Sequence, residues 1–295
     1  RDKSILRYLP ELKKEITECG RLFRESGKNI ESVYFGGGTP TSLNAIELSS
    51  LFNSIEHSFD IKLRDIETTV EAGRPDTIDQ DRLSAIKEFG VRRISINPQS
   101  MNDETLKKIG RSHSSDDIRN AFKLAREYEF EVINSDVIAG LPDETADDIE
   151  NTIEKLIDIG ANNITVHTLS VKRGSKLKQE DPDYHLRGVR EVEAMLDKAS
   201  NILHAAGFVP YYVYRQKHQM GSFENTGWCI PGLHSLYNIR IMEEMQTIIG
   251  LGAGAIGKRY FPSENRLERI PNINDYRMYV ERIDNIIARK HKYFD

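Results

Sequence analysis

The sequence predicts an α/β fold: a partial TIM barrel followed by a smaller C-terminal α+β domain. Three observations carry that expectation. Short apolar segments alternate with amphipathic ones through the first two-thirds of the chain. Most of the short segments stop at Gly or Pro, or at a polar residue. The alternation ends near Gly207, where a tyrosine-rich segment begins. Strands separated by helices form parallel sheets covered by helices, with right-handed crossovers.

The elements follow in order. Ile5, Leu9, Leu12, Ile16, Cys19 and Phe23 repeat at helical spacing. Ser32 to Phe35 reads as a buried strand stopped by Gly36-Gly37-Gly38. Asn44, with Glu47 three residues on, opens a helix bearing Leu48, Leu51, Phe52 and Ile55. A strand over Ile66–Glu71 ends at Ala72-Gly73-Arg74-Pro75, and a helix with Leu83, Ile86 and Phe89 stops at Gly90. A strand over Arg93–Asn97 ends at Pro98. A short helix runs to Gly110, and Ser115 caps the next, which carries Ile118, Phe122 and Ala125. A strand over Val132–Ile138 meets Gly140-Leu141-Pro142, and Thr145 with Asp148 caps a helix ending at Gly160. A strand over Ile164–Leu169 and a helix from Val189 to Ala206 close the series. Five strand-then-helix units thus follow a lone leading helix. Completing the rhythm requires a strand and loop upstream of Arg1, giving six units. We therefore divide the chain into residues 1–206 and 207–295. The second part holds the strand Val209–Tyr214, Gly- and aromatic-rich loops, and a terminal helix with Tyr276, Tyr279, Ile283 and Ile286.

Composition narrows the function classes. The 295 residues are 38% hydrophobic and 29% charged, enough for a sizeable core and a solvated surface. A net charge of −5 and a pI near 6.0 argue against a general nucleic-acid binder. The longest apolar stretch, Thr247 to Ile256, is too short for a membrane span, and the first residues lack signal-peptide order. We expect a cytoplasmic protein without membrane insertion. Two cysteines, Cys19 and Cys229, make neither a disulfide framework nor a zinc site.

Polar groups recur where the strands end: Gly36 to Pro40, then Glu71, then Asn97 and Gln99, then Asp136, then His167, Thr168 and Ser170. Strand ends are polar wherever they meet solvent, so one such residue means little. Five in a row on parallel strands share one face, where ligands bind. Three consecutive glycines cost chain entropy and permit close backbone approach to a ligand. They form neither a Walker loop nor a G-x-G-x-x-G fingerprint.

Phe35-Gly36-Gly37-Gly38-Thr39-Pro40-Thr41 resembles the glycine motif of radical S-adenosylmethionine (SAM) enzymes. Val70-Glu71-Ala72-Gly73-Arg74-Pro75 resembles that superfamily's second-strand motif. Asn97-Pro98-Gln99-Ser100 with Gly110-Arg111, and Asn134 to Pro142, resemble motifs of the oxygen-independent coproporphyrinogen III dehydrogenase family. Tyr214-Arg215-Gln216-Lys217, Phe223-Glu224-Asn225 and Gly250 to Ala255 resemble its HemZ-like branch. The resemblance covers nearly the whole chain. It implies a partial barrel of radical SAM type that uses SAM and a [4Fe–4S] cluster. It implies that Gly37, Gly38 and Thr39 bind SAM. Glu71, Gln99, Arg111 and Asp136 would hold its amino acid, its ribose or a second SAM. Ser170 and Ile256 would pack against it. The implied reaction is oxidative decarboxylation of propionates, from coproporphyrinogen III to protoporphyrinogen IX, with an unidentified electron donor as partner. Proteins of similar sequence act instead as haem-transfer chaperones.

One departure stands out. The family's C-x3-C-x2-C cluster loop is absent from these residues, and neither Cys19, on an apolar helix face, nor the lone Cys229 replaces it. We expect that loop in the upstream segment, after the strand the rhythm requires. Arg215 and Lys217, beside His218, are candidates for the propionates of a tetrapyrrole, against the plainer reading of a solvated charge cluster. Arg92 and Arg93 precede a strand at the end away from the site, which suggests a structural role. Tyr211, Tyr212 and Tyr214 could line a macrocycle pocket, but alternation sends some of them to the core. His113 and His167 form neither a metal pair nor a triad, although His167 can point into the site.

Overall fold

The computed structural model describes residues 3–170, 188–215 and 220–294. Helix α1 (Lys3–Ser26) leads. Strand β1 (Ser32–Phe35), helix α2 (Ala45–Phe59), β2 (Glu67–Glu71), α3 (Gln80–Glu88), β3 (Arg93–Ser95), α4 (Asp103–Lys108) and α5 (Ser115–Glu127) follow. Next come β4 (Val132–Ala139), α6 (Ala146–Ile159), β5 (Asn163–Thr168), α7 (Val189–Ala205), β6 (Val209–Tyr214) and β7 (Asn225–Cys229). The chain closes with α8 (Leu236–Glu243), β8 (Ile256–Phe261), β9 (Arg266–Pro271), α9 (Tyr276–Glu281) and α10 (Ile283–Ala288). The expected alternation is present. One sheet runs β1-β2-β3-β4-β5-β7-β6, and β8 pairs with β9 alone. Strands β2 to β5 are parallel, whereas β7 and β6 add antiparallel. The tyrosine strand β6, expected at the head of the C-terminal part, is therefore an edge strand of the main sheet.

Local chemistry explains the boundaries. Asn44 and Glu47 form the expected capping box on α2, and Thr145 and Asp148 form one on α6. The cap of α5 is Ser114 rather than Ser115, because Asp117, three residues on, returns the bond. Strand β3 stops two residues early. Pro98 lacks an N–H for the ladder, and pairing resumes only as a bridge between Gln99 and Val137. The terminal helix is two short ones, broken at Arg282 (φ −114°, ψ 23°), and Tyr279, Ile283 and Ile286 still share one buried cluster.

The chain forms two compact units. One comprises Arg1–Thr68, Ser84–Val91 and Leu236–Asp295. In it α1 lies close against α2: a Cβ on Gly20 would sit 2.3 Å from the Ser58 carbonyl oxygen. Phe23 packs on Phe59, and Phe52 packs on Phe35 and Phe89. Cys19 is fully buried, as its place on the apolar face of α1 requires. Glu67 accepts hydrogen bonds from the first two N–H groups of α8, where a carboxylate suits the helix dipole. Glu15 and Lys290, both fully buried, pair at 2.7 Å. Glu15 also accepts from the Tyr279 hydroxyl, Gly252 N–H and Asn272, and Lys290 donates to Gly250 O and Asn272. This network fixes the glycine-rich segment 250–255.

The other unit comprises Thr69–Leu83 and Arg92–Ser235. Residues Ile133, Ser135, Val137 and Ala139 of β4 are buried on one face, and Asn134, Asp136 and Ile138 are half-exposed on the other. Arg93 donates to the Leu233 carbonyl and Arg92 lies 3.7 Å from Glu131, in line with the structural role expected of both. Among the described residues no helix is long and apolar enough to cross a membrane.

Candidate functional site

Register sets which side chains meet. Glu71 lies opposite Ser95, Ser95 opposite Asn134, and Asp136 opposite Thr165. Glu71 ends β2, half-buried. Gln99 has a left-handed backbone (φ 71°), unusual for a residue with a Cβ. Its N–H donates to Asp136 O and its carbonyl accepts from Ile138 N–H, so β4 holds the strained residue from both sides. The neighbouring His113 is buried, its ring bonded to the Pro98 carbonyl, and burial pushes its pKa down.

Arg111 follows the turn that ends α4. Its guanidinium is half-buried and has no acidic partner among the described residues. Burial, with Arg74 nearby, pushes its pKa down. A cation so placed favours an anion, and its planar fork fits a carboxylate.

Asp136 is one-quarter exposed. Asn134 Nδ2 donates to Oδ1 at 3.1 Å, and His167 Nε2 lies 3.6 Å from the same oxygen. Burial opposes the charge, but His167, with Asn134 and Thr165, holds the carboxyl below the usual aspartate value. Asn134 Oδ1 and, in the same unit, Asn97 Oδ1 are buried acceptors without a hydrogen-bond partner among the described residues. Ser170 ends the same series, half-buried just past β5. Glu71, Gln99, Arg111, Asp136 and Ser170 thus belong to one unit. The array offers acceptors for an ammonium and ribose hydroxyls and a cation for a carboxylate, so its residues fit SAM.

Gly37, Gly38, Thr39 and Ile256 belong to the other unit. Gly37 has φ 98°, which a side chain would strain, and a Cβ on Gly37 or Gly38 would meet nothing within 4 Å. No internal contact calls for glycine at either position; the open space is on the surface, where a ligand can approach the backbone. Thr39 caps the turn Pro40–Ser42, and Ile256 opens β8 at 58% exposure, high for an isoleucine. Arg215 is exposed and paired with Glu224 at 3.0 Å. Lys217 and His218 lie outside the described residues.

The residues present do not fit the cluster. Two cysteines fall short of three thiolates. Burial pushes the Cys19 thiol up to about 12 and raises that of Cys229, so both are held neutral. Among the described residues no group of three or more His, Cys, Asp or Glu could hold a metal ion.

Sequence reasoning missed the tyrosines' arrangement. A bulge between Pro210 and Tyr212 breaks the alternation of β6. Tyr211, Tyr212 and Tyr214 all reach β5, at Asn163, Thr165 and His167, over 3.2, 3.0 and 3.1 Å. Strand β7 lies between. Tyr212 crosses it at Gly227, where a Cβ would come 1.7 Å from the ring. The run of three tyrosines and the glycine in β7 were the available signals, but their coincidence needs the strand order.

The comparisons bear on this geometry. The family model described as the radical SAM superfamily matches residues 7–156. The chain is 40% identical over 283 residues to the oxygen-independent coproporphyrinogen-III oxidase-like protein HemZ of Bacillus subtilis, covering 95% of this chain and 56% of that protein. It is 30% identical to the heme chaperone HemW of the same organism, covering 85% of this chain and 62% of HemW. It therefore spans less than two thirds of either relative. The solved structure of coproporphyrinogen III oxidase HemN from Escherichia coli, described as a radical SAM enzyme, superposes with a TM-score of 0.74 at 21% identity. That match covers 97% of this chain and 64% of HemN, a likeness of fold. SAM and a [4Fe–4S] cluster are the cofactors of the family that the sequence motifs and the family model indicate: the chain belongs to the radical SAM superfamily.

Proposed function

We propose that this chain belongs to a radical SAM oxidoreductase that converts coproporphyrinogen III to protoporphyrinogen IX. Its own share of the work is to bind and orient SAM through Glu71, Gln99, Arg111 and Asp136, which lie in one unit. The observation that carries the SAM reading is Arg111, half-buried and without an acidic partner among the described residues, in the unit that also holds Asp136 and the Asn97 and Asn134 acceptors left unpaired among those residues. If bound there, SAM would supply the radical chemistry, and these residues would hold it. The chain's residues hold the adenosyl group in place and keep water away. Arg215 is the proposed partner of a substrate propionate, exchanging Glu224 for it, and Lys217, two residues on in the sequence, is a second candidate. The greater identity to HemZ than to HemW favours dehydrogenase over chaperone.

The likeness to HemW keeps a second reading, a haem-transfer protein, in play. One experiment divides the two. The full gene product, purified without oxygen, is given SAM, a reductant, an electron acceptor and coproporphyrinogen III. Protoporphyrinogen formation is the expected result. Stoichiometric hemin binding without turnover would establish the chaperone reading instead.

A further inference from the structure

We propose that His167 is a positioning residue of the ligand-binding face, holding the Asp136 carboxylate through Nε2 while Tyr214 holds the ring through Nδ1. The inference rests on the SAM reading of Asp136. The family resemblance gives His167 no role; the geometry does. On β5, Ile164 and Val166 point to the buried face, whereas Asn163, Thr165 and His167 share the face that carries Asp136. The Tyr214 hydroxyl lies 3.1 Å from His167 Nδ1, with the rings edge to face at 6.3 Å. Nε2 then lies 3.6 Å from Asp136 Oδ1. The ring is gripped at one nitrogen and aimed with the other.

That grip selects a tautomer. With Nδ1 accepting from the tyrosine hydroxyl, the ring proton sits on Nε2 and faces the carboxylate. The reverse assignment would turn a bare Nε2 lone pair toward the carboxylate oxygen, an unfavourable pairing. Tyr214 is itself held, because its ring stacks on Tyr212 at 6.1 Å and Tyr212 bonds Thr165. The titratable groups facing His167 are therefore Asp136 and Tyr214, with Tyr212 behind. The depressed pKa of Asp136 agrees with a donor at this position. A partner of this kind orients a ligand-binding group as an outer carboxylate orients a metal-bound histidine.

The test uses the whole chain with SAM as the probe. Imidazole nitrogen shifts, read by NMR on 15N-histidine-labelled protein, report the tautomer. The His167 signal is identified by its loss in His167→Gln. The parent should show protonated Nε2, and Tyr214→Phe should shift it toward a mixture. By calorimetry His167→Phe should weaken SAM binding about tenfold, as for losing one polar partner of a charged group. His167→Gln, which keeps an N–H near the Nε2 position, should recover most of that loss. A parent with its proton on Nδ1, or a His167→Phe variant that binds SAM like the parent, overturns the proposal. A parent that takes up no SAM overturns the SAM reading instead, and the tautomer then decides alone whether His167 holds Asp136.

Discussion

Each compact unit carries a polar cluster, and the two are built on opposite terms. Glu15 and Lys290 are fully buried, 2.7 Å apart, and surrounded by Tyr279, Asn272 and backbone groups of the glycine-rich segment. Both carboxylate oxygens of Glu15 are engaged. Asp136 and His167 are each about one-quarter exposed and 3.6 Å apart. In the same unit, among the described residues, Asn97 and Asn134 keep unpaired acceptors and Arg111 lacks an anion. A buried network that is complete serves architecture, because a further ligand would break it. A network left incomplete beside solvent is where a ligand makes up the remaining bonds.

The largest test of this contrast is Glu15→Ala. It strands a buried Lys290 charge, so we expect a loss of about 3–5 kcal/mol in urea unfolding. Unfolding at the parent's urea midpoint would break the comparison at its stronger end. At the open cluster the costs should fall on binding instead. Arg111→Ala or Asp136→Ala should weaken SAM by about 1.5–3 kcal/mol in calorimetry, with a smaller loss of stability than Glu15→Ala. Parent-like binding in both variants would remove these residues from the SAM site. A subtler effect is expected at Gln99. Its left-handed backbone costs about 1–2 kcal/mol, which glycine would relieve. Gln99→Gly should therefore raise the thermal midpoint while lowering SAM affinity, and a lower midpoint would show that the side chain outweighs the strain.

The smallest effect concerns pH. Hydrogen bonds from the Thr145 backbone and hydroxyl hold Asp148 below its ordinary value. Its folded pKa is the lower one, so its contribution is present above the unfolded value, near 3.9, and is lost as pH falls through the folded value. The urea-midpoint difference between parent and Thr145→Ala should shrink below about pH 4. A difference that is constant down to pH 3 would deny the link.

Much of the fold was legible because local chemistry set it. The box of Asn44 with Glu47 and the glycine stop at Gly160 are written in adjacent residues, and the structure keeps both. Glu71, Gln99, Arg111 and Asp136 could be named because the motifs that carry them are contiguous. What stayed hidden depends on distant pairing. Glu15 reads as one more charge on α1 until Lys290 meets it. Tyr211, Tyr212 and Tyr214 read as an alternating strand until the bulge in β6 turns all three toward β5. His167 gained a role only when Tyr214 and Asp136 closed on its two nitrogens.

The passage of Tyr212 over Gly227 has an evolutionary consequence. The ring occupies the volume that any side chain at 227 would need, so the two positions should change together. Where a relative carries a larger residue at the position of Gly227, the aromatic ring at the position of Tyr212 should have been replaced in the same lineage. The hydroxyl at the position of Thr165, having lost its tyrosine, should then be free to drift toward valine.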